Sequence, residues 1–167
     1  MTSNIVGAAE VVQRIKRARI QMVEAATSSD LQKLLLSRIR ARFEAGVDAE
    51  NVPWPGLFSS TIERKQRSGS PTPEKPLQDK GRLLAALQIL HGSNEGTLAI
   101  NTGLGVRIGI DDRARADRKG GLSPAEYGRI HNYGEGVAQR QFIGLGALDA
   151  RSVSTYLRRR MKLISQG

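Results

Sequence analysis

Two histidines, one pair of adjacent aspartates and two Gly-x-Gly units are the residues here whose types and spacing could do chemistry. His131-Asn132 has the form of a metal-dependent nuclease core, where one imidazole activates water and a second holds the ion. Such a centre needs further ligands at helical or hairpin spacing; the other imidazole, His91, is remote in sequence, and no His-x-x-x-His exists. His131 reads instead as a half-buried helix residue bonding to a neighbouring loop. Asp111-Asp112 follows a strand, a position where magnesium sites occur. Successive side chains of an extended segment point to opposite faces, however, and the basic residues just after them pair with them more simply. Gly103-Leu104-Gly105 precedes a strand rather than joining strand to helix, so it is not a dinucleotide fingerprint. Gly144-Leu145-Gly146 precedes a helix, where it serves either as an anion site or as a tight turn. The chain has no phosphate-binding Gly-x-x-x-x-Gly-Lys-Ser/Thr loop, no Gly-x-Ser-x-Gly elbow and no cysteine. The expectation is a protein that is not an enzyme, with no metal and no cofactor.

The elements around these residues emerge from periodicity. Ile5, Ala8, Val12, Ile15, Ala18, Met22 and Ala26 mark one face of a helix over residues 5–26. Ser29 with Gln32 has the pattern of a capping box, and Leu31, Leu35, Ile39 and Phe43 line a second helix that stops at Gly46. Arg38, Arg40 and Arg42 project around that helix, as a solvated face or as a phosphate-facing stripe. Trp54 lies in a loop between two prolines and reads as a packing anchor; a short helix comes next over 59–66. Residues 67–76, rich in Pro, Ser and Gly, form a flexible excursion. From Asp79 the spacing is helical again, through Leu83, Leu84, Leu87 and Leu90. Residues 97–101 and 105–110 alternate as two antiparallel strands joined at Thr102-Gly103. The charged stretch 111–121 is a loop. Ser123-Pro124-Ala125-Glu126 starts a helix ending near Tyr133-Gly134, and a last helix covers 147–164. The predicted architecture is a single α+β domain over 1–167, with a helical region at 5–46, a small antiparallel sheet and a C-terminal helix.

Composition narrows the class. At 167 residues the chain suits one core, and with 39% hydrophobic but only 4% aromatic residues that core is mostly aliphatic. Net charge is +10, from 26 Lys and Arg against 16 Asp and Glu, which attracts nucleic acid or an acidic protein surface. No run of about 18 apolar residues is present to cross a membrane. Met1-Thr2-Ser3-Asn4 lacks a charged region followed by an apolar run, so the product is expected to stay in the cytoplasm or in an assembly built there.

One ordered set of motifs goes further. Trp54-Pro55-Gly56-Leu57 is followed by Leu77-Gln78-Asp79-Lys80-Gly81-Arg82-Leu83, then Val106-Arg107-Ile108-Gly109-Ile110. Next come Glu126-Tyr127-Gly128-Arg129-Ile130-His131-Asn132-Tyr133-Gly134 and Arg140-Gln141-Phe142-Ile143-Gly144. In this order they resemble the virion morphogenesis (tail completion) proteins of tailed bacteriophages of the Mu-like type, over roughly residues 31–150. The departures are Lys80 for the usual Thr, Gly128 for Ala and Gln141 for Pro. The resemblance implies a structural protein of the virion, assembled in the bacterial host cytoplasm. It would act in tail completion or head–tail joining as a subunit of a homo-oligomeric ring around the DNA channel. The implied partners are head–tail connector, tail terminator or tail tube proteins, with non-specific contact to genomic DNA and none to a membrane. The rival reading is a stand-alone basic nucleic-acid-binding protein without catalytic activity.

Within that reading Trp54, Leu57, Leu83, Leu87, Tyr127, Ile130 and Phe142 should form one core or its edge. Gly81, His131, Tyr133, Gly134 and Arg140 complete the motif set. Arg113, Arg115, Arg118 and Lys119 are the candidates for the DNA channel, and the clusters at 14–19 and 158–162 for protein partners.

Overall fold

Apolar residues at steps of three and four produce the helices that open the fold. The computed structural model describes residues 4–89, 106–111 and 121–165. Helix α1 runs Asn4–Ala26 and α2 runs Ser29–Ala45. The cap between them is Ser28, one residue earlier than the Ser29–Gln32 pattern suggested. Its hydroxyl accepts the Leu31 N–H at 3.3 Å and shares a 2.6 Å hydrogen bond with the Tyr156 hydroxyl, so the cap is tied to the last helix. Gly46 ends α2 at φ 72°, its N–H reaching the Arg42 and Phe43 carbonyls. Leu31, Leu35, Ile39 and Phe43 are all buried along one side, as the periodicity required.

Helix α3 (Ser59–Arg67) leads into an irregular segment, then α4 (Arg82–Ala86) passes directly into strand β1 (Leu87–Ile89). The helical spacing predicted through Leu90 therefore breaks early. Leu87 turns extended (φ −76°, ψ 111°) because β2 (Ile108–Ile110) offers it a ladder, pairing Leu87 with Ile110 and Ile89 with Ile108. The Leu87 side chain is fully buried there. The strand expected at 97–101 and its turn at Thr102-Gly103 lie outside the described residues; the described partner of β2 is β1.

Helix α5 spans Pro124–Tyr133 with the predicted capping box: Ser123 accepts from the Glu126 N–H, and the Glu126 carboxylate accepts from the Ser123 N–H. Those two bonds hold the Glu126 carboxyl below its ordinary range. Helix α6 covers Ala147–Ser165. The described residues thus make six helices and one two-stranded antiparallel sheet, an α+β fold with helices at both chain ends. Helix α6 lies against α1 and α2, α2 also meets both strands, and α5 packs on α4 and β2.

The chain's few aromatic rings are concentrated where these elements meet. Phe43 stands edge-on to Trp54 (centroids 5.7 Å apart, 83°) and to Phe142 (5.4 Å, 86°). Leu77 and Leu83 complete this buried cluster, with Leu84, Ile110, Tyr127 and Ile143 packed on its rim. Edge-to-face pairs contribute about 0.5–1.5 kcal/mol each beyond their area. Gly128 keeps the rim closed: a Cβ there would collide with Ile110 and stand 3.1 Å from a Leu83 methyl and 3.3 Å from the Phe142 ring.

Candidate functional site

The motif residues gather into a clasp that joins the Trp loop, the end of α5 and the segment before α6. Trp54 is buried; its backbone N–H donates to the Gly46 carbonyl at 2.8 Å and its indole N–H to the Gln141 carbonyl at 3.1 Å. Arg140 is 6% exposed and donates Nε to the Pro55 carbonyl and an Nη to the Gly56 carbonyl, both at 3.0 Å, and reaches Ala138 at 3.4 Å. A planar guanidinium presents its donors in a fixed fork, so one side chain holds two successive carbonyls at once. Asn132 fixes the next segment, its Oδ1 accepting the Phe142 and Ile143 N–H groups at 3.1 and 2.9 Å. The Arg140 N–H closes onto the His131 carbonyl at 2.8 Å. Gly134 lets α5 end there: at φ 74° its N–H returns to the Ile130 carbonyl, a left-handed turn that a Cβ disfavours.

His131 is half-buried, as expected, but its ring bonds to no loop through Nδ1, which is buried without a hydrogen-bond partner. The ring instead packs edge-on against Tyr127, centroids 4.5 Å apart. Burial first, and the neighbouring Arg140 charge second, push its pKa down and favour the neutral form. Burial likewise raises the Tyr127 phenol. Asp111 donates its N–H to the Ala86 carbonyl at the sheet end, while Asp112 lies outside the described residues. Among the described residues no group of three His, Asp or Glu is arranged to hold a metal ion.

A second cluster was not foreseen. Asp149 is 1% exposed and lies between two arginines of α2: Arg38 Nε donates at 2.5 Å, and Arg42 donates to the other carboxylate oxygen. Arg42 also reaches the Gly144 carbonyl at 2.9 Å, and the Gly146 N–H donates to Asp149 at 3.0 Å. Burial raises the carboxyl pKa, but the bonds from Arg38, Gly146 and Arg42 outweigh it and hold the group below its ordinary range. Arg40 donates to the Leu87 carbonyl at 3.0 Å. Of the stripe at 38–42, Arg42 is buried and Arg38 half-buried on Asp149 while Arg40 stays exposed, and the anion at the Gly144-Leu145-Gly146 helix start is the protein's own carboxylate.

Residues 67–76 are irregular yet organised. The Lys65 ammonium is buried and donates to the Thr72, Lys75 and Gln78 carbonyls at 2.8, 2.7 and 2.6 Å. Burial lowers its pKa against the opposing pull of Asp79 and Glu74.

Of the predicted core, Trp54, Leu83, Leu87 and Phe142 are buried, and Tyr127 packs against the cluster. Leu57 and Ile130 are half-buried, and Gly81 turns left-handed (φ 73°) just before α4. Tyr133 is a correction: it is 69% exposed, because a six-residue step from Tyr127 rotates about 120° around the helix. Leu77 is a core member that the periodicity does not mark, and Phe43, expected on the apolar face of α2, stands at the centre of the cluster. Arg113, Arg115, Arg118 and Lys119 lie outside the described residues. No helix among the described residues is long and apolar enough to cross a membrane. No protein-family model, curated protein or solved structure matches this chain.

Proposed function

We propose that this chain is a structural subunit of a tailed-bacteriophage virion, acting in tail completion or head–tail joining as one member of a ring around the DNA channel. The observation that carries the reading is the clasp. Trp54, Gly134, Arg140 and Phe142, which bear the resemblance to the phage family, hold separate segments together through packing and carbonyl bonds. Residues used this way suit a rigid building block. They bind backbone rather than present acids and bases to a substrate.

A net charge of +10 suits a subunit close to packaged DNA or to acidic neighbours. In this reading Arg113, Arg115, Arg118 and Lys119 face the channel, and the helical clusters meet protein.

The test is to locate a labelled subunit in assembled particles by electron microscopy and to image particles made without it. A ring of density at the neck or tail, lost together with head–tail joining in its absence, is the expected result. Tight, salt-sensitive DNA binding by a monomer absent from particles would establish the rival instead.

A further inference from the structure

Two exposed apolar surfaces of opposite charge sit on separate parts of this chain. The first is the outer side of α1, where Val11, Ile15 and Met22 are 54%, 63% and 46% exposed at helical spacing. The exposed Arg14, Lys16, Arg17 and Arg19 surround them, and the same helix packs inward on α6 near the buried Ala25. The second surface is the segment from Phe43 to Glu63. In a chain of net charge +10 this stretch contains no Lys or Arg and four acids, Glu44, Asp48, Glu50 and Glu63, the last of which pairs with Arg67 of its own helix at 3.9 Å. It exposes Phe58 at 83% and Val52 at 57%, and the Arg140 bonds to Pro55 and Gly56 bring the loop of exposed Val137 beside it.

We propose that α1 of one copy docks on the Phe43–Glu63 surface of a second copy, head to tail. Charge selects the occupant. Pairing α1 with itself would oppose four cations with four cations, and pairing the acidic segment with itself would oppose carboxylates. The crossed pairing buries Ile15 and Met22 against Phe58 and Val52 while Arg14 to Arg19 meet Glu44 and Glu50. A 23-residue helix is about 35 Å long. That length can carry the ~800 Å² per partner typical of stable contacts. Since the two faces differ, an open row of copies keeps one unused helix at one end and one unused acidic segment at the other, so the contact propagates until it closes on itself. The inference deepens the ring reading and rests on it for purpose, but it makes a claim about the isolated chain.

The experiment uses purified full-length protein and two variants, Ile15→Asp/Met22→Asp on the helix and Phe58→Asp/Val52→Asp on the acidic segment. All four positions are exposed, so folding should persist and is checked by circular dichroism. Sedimentation should find oligomers in the wild type that dissociate as salt rises, and each variant associating at least ~100-fold more weakly. Mixing the two variants should give a discrete heterodimer, because each retains the surface the other lost. A wild type that stays monomeric, including one that instead binds anionic vesicles, overturns the proposal. So does a segment variant that still oligomerises, or a mixture that stays monomeric. Oligomers that complement in this way yet never enter particles would sink the virion reading and leave this one standing.

Discussion

Helices α1 and α2 are both amphipathic and Arg-rich, yet they dispose of those residues in opposite ways. On α2, Arg38 and Arg42 turn inward to Asp149, Arg40 reaches the Leu87 carbonyl, and Leu31, Leu35 and Ile39 are buried. On α1 the cations are exposed; Arg14 pairs with Glu10 at 2.8 Å on the surface, and Val11, Ile15 and Ile20 face outward. The difference lies in the partner each helix meets in space. The α2 arginines meet a carboxylate buried at the start of α6, where low dielectric makes each bond count. Those of α1 stay in water, where such pairs contribute about 0–1 kcal/mol. Equal composition therefore gives a scaffold in one place and an open surface in the other.

The contrast can be broken hardest at Asp149. Asp149→Ala leaves two arginines without their buried partner and should cost about 3–5 kcal/mol, read by urea denaturation. An effect under about 1 kcal/mol would mean the cluster is merely a surface pair. Acid should act in the same direction. The Asp149 pKa is depressed in the folded state, so its contribution is complete above the ordinary value of 3.8 and is lost as pH falls from there through the folded value. His131 adds an earlier loss: its pKa is lowered from 6.5, so below that pH the unfolded chain takes up the proton first. Melting temperature measured against pH should show both declines, and Asp149→Asn should shrink the lower one to the part that Glu126, whose carboxyl is also depressed, contributes.

Trp54→Ala should cost about 3 kcal/mol, since it deletes an aromatic pair and the indole bond together. A melting curve that barely moves would make the Trp loop an independent flap. Arg140→Met keeps the bulk but frees the Pro55 and Gly56 carbonyls, which water can reach; about 1–2 kcal/mol is expected from the same measurement. The smallest effect belongs to α1: Ile15→Ser should change monomer stability by less than about 0.5 kcal/mol. If it costs as much as Arg140→Met, α1 is part of the core and the contrast between the helices fails.

What the sequence discloses here is what is decided locally. Ser123, Pro124 and Glu126 announce a helix start within four positions, and Gly46 and Gly134 announce ends, because caps are satisfied by near neighbours. Trp54 is legible as an anchor since a lone Trp between prolines has few other uses. Asp149 is not, because its partners lie 107 and 111 residues earlier and an arginine that turns inward looks the same in sequence as one in water. Leu87 misleads for the same reason: its helical spacing continues from α4, and only the distant β2 makes it a strand. Tyr133 belongs to the motif yet faces outward, since order along the chain carries no sense of which side of a helix will be covered.

Lys65 has a consequence for chemical labelling. Its amine is surrounded by the Thr72, Lys75 and Gln78 carbonyls, so an acylating reagent can reach it only when the segment after α3 opens. Surface lysines such as Lys80 would react at once. The lag between the two would time that opening in the free subunit, and a lengthened lag after assembly would report that a neighbour had settled on that side.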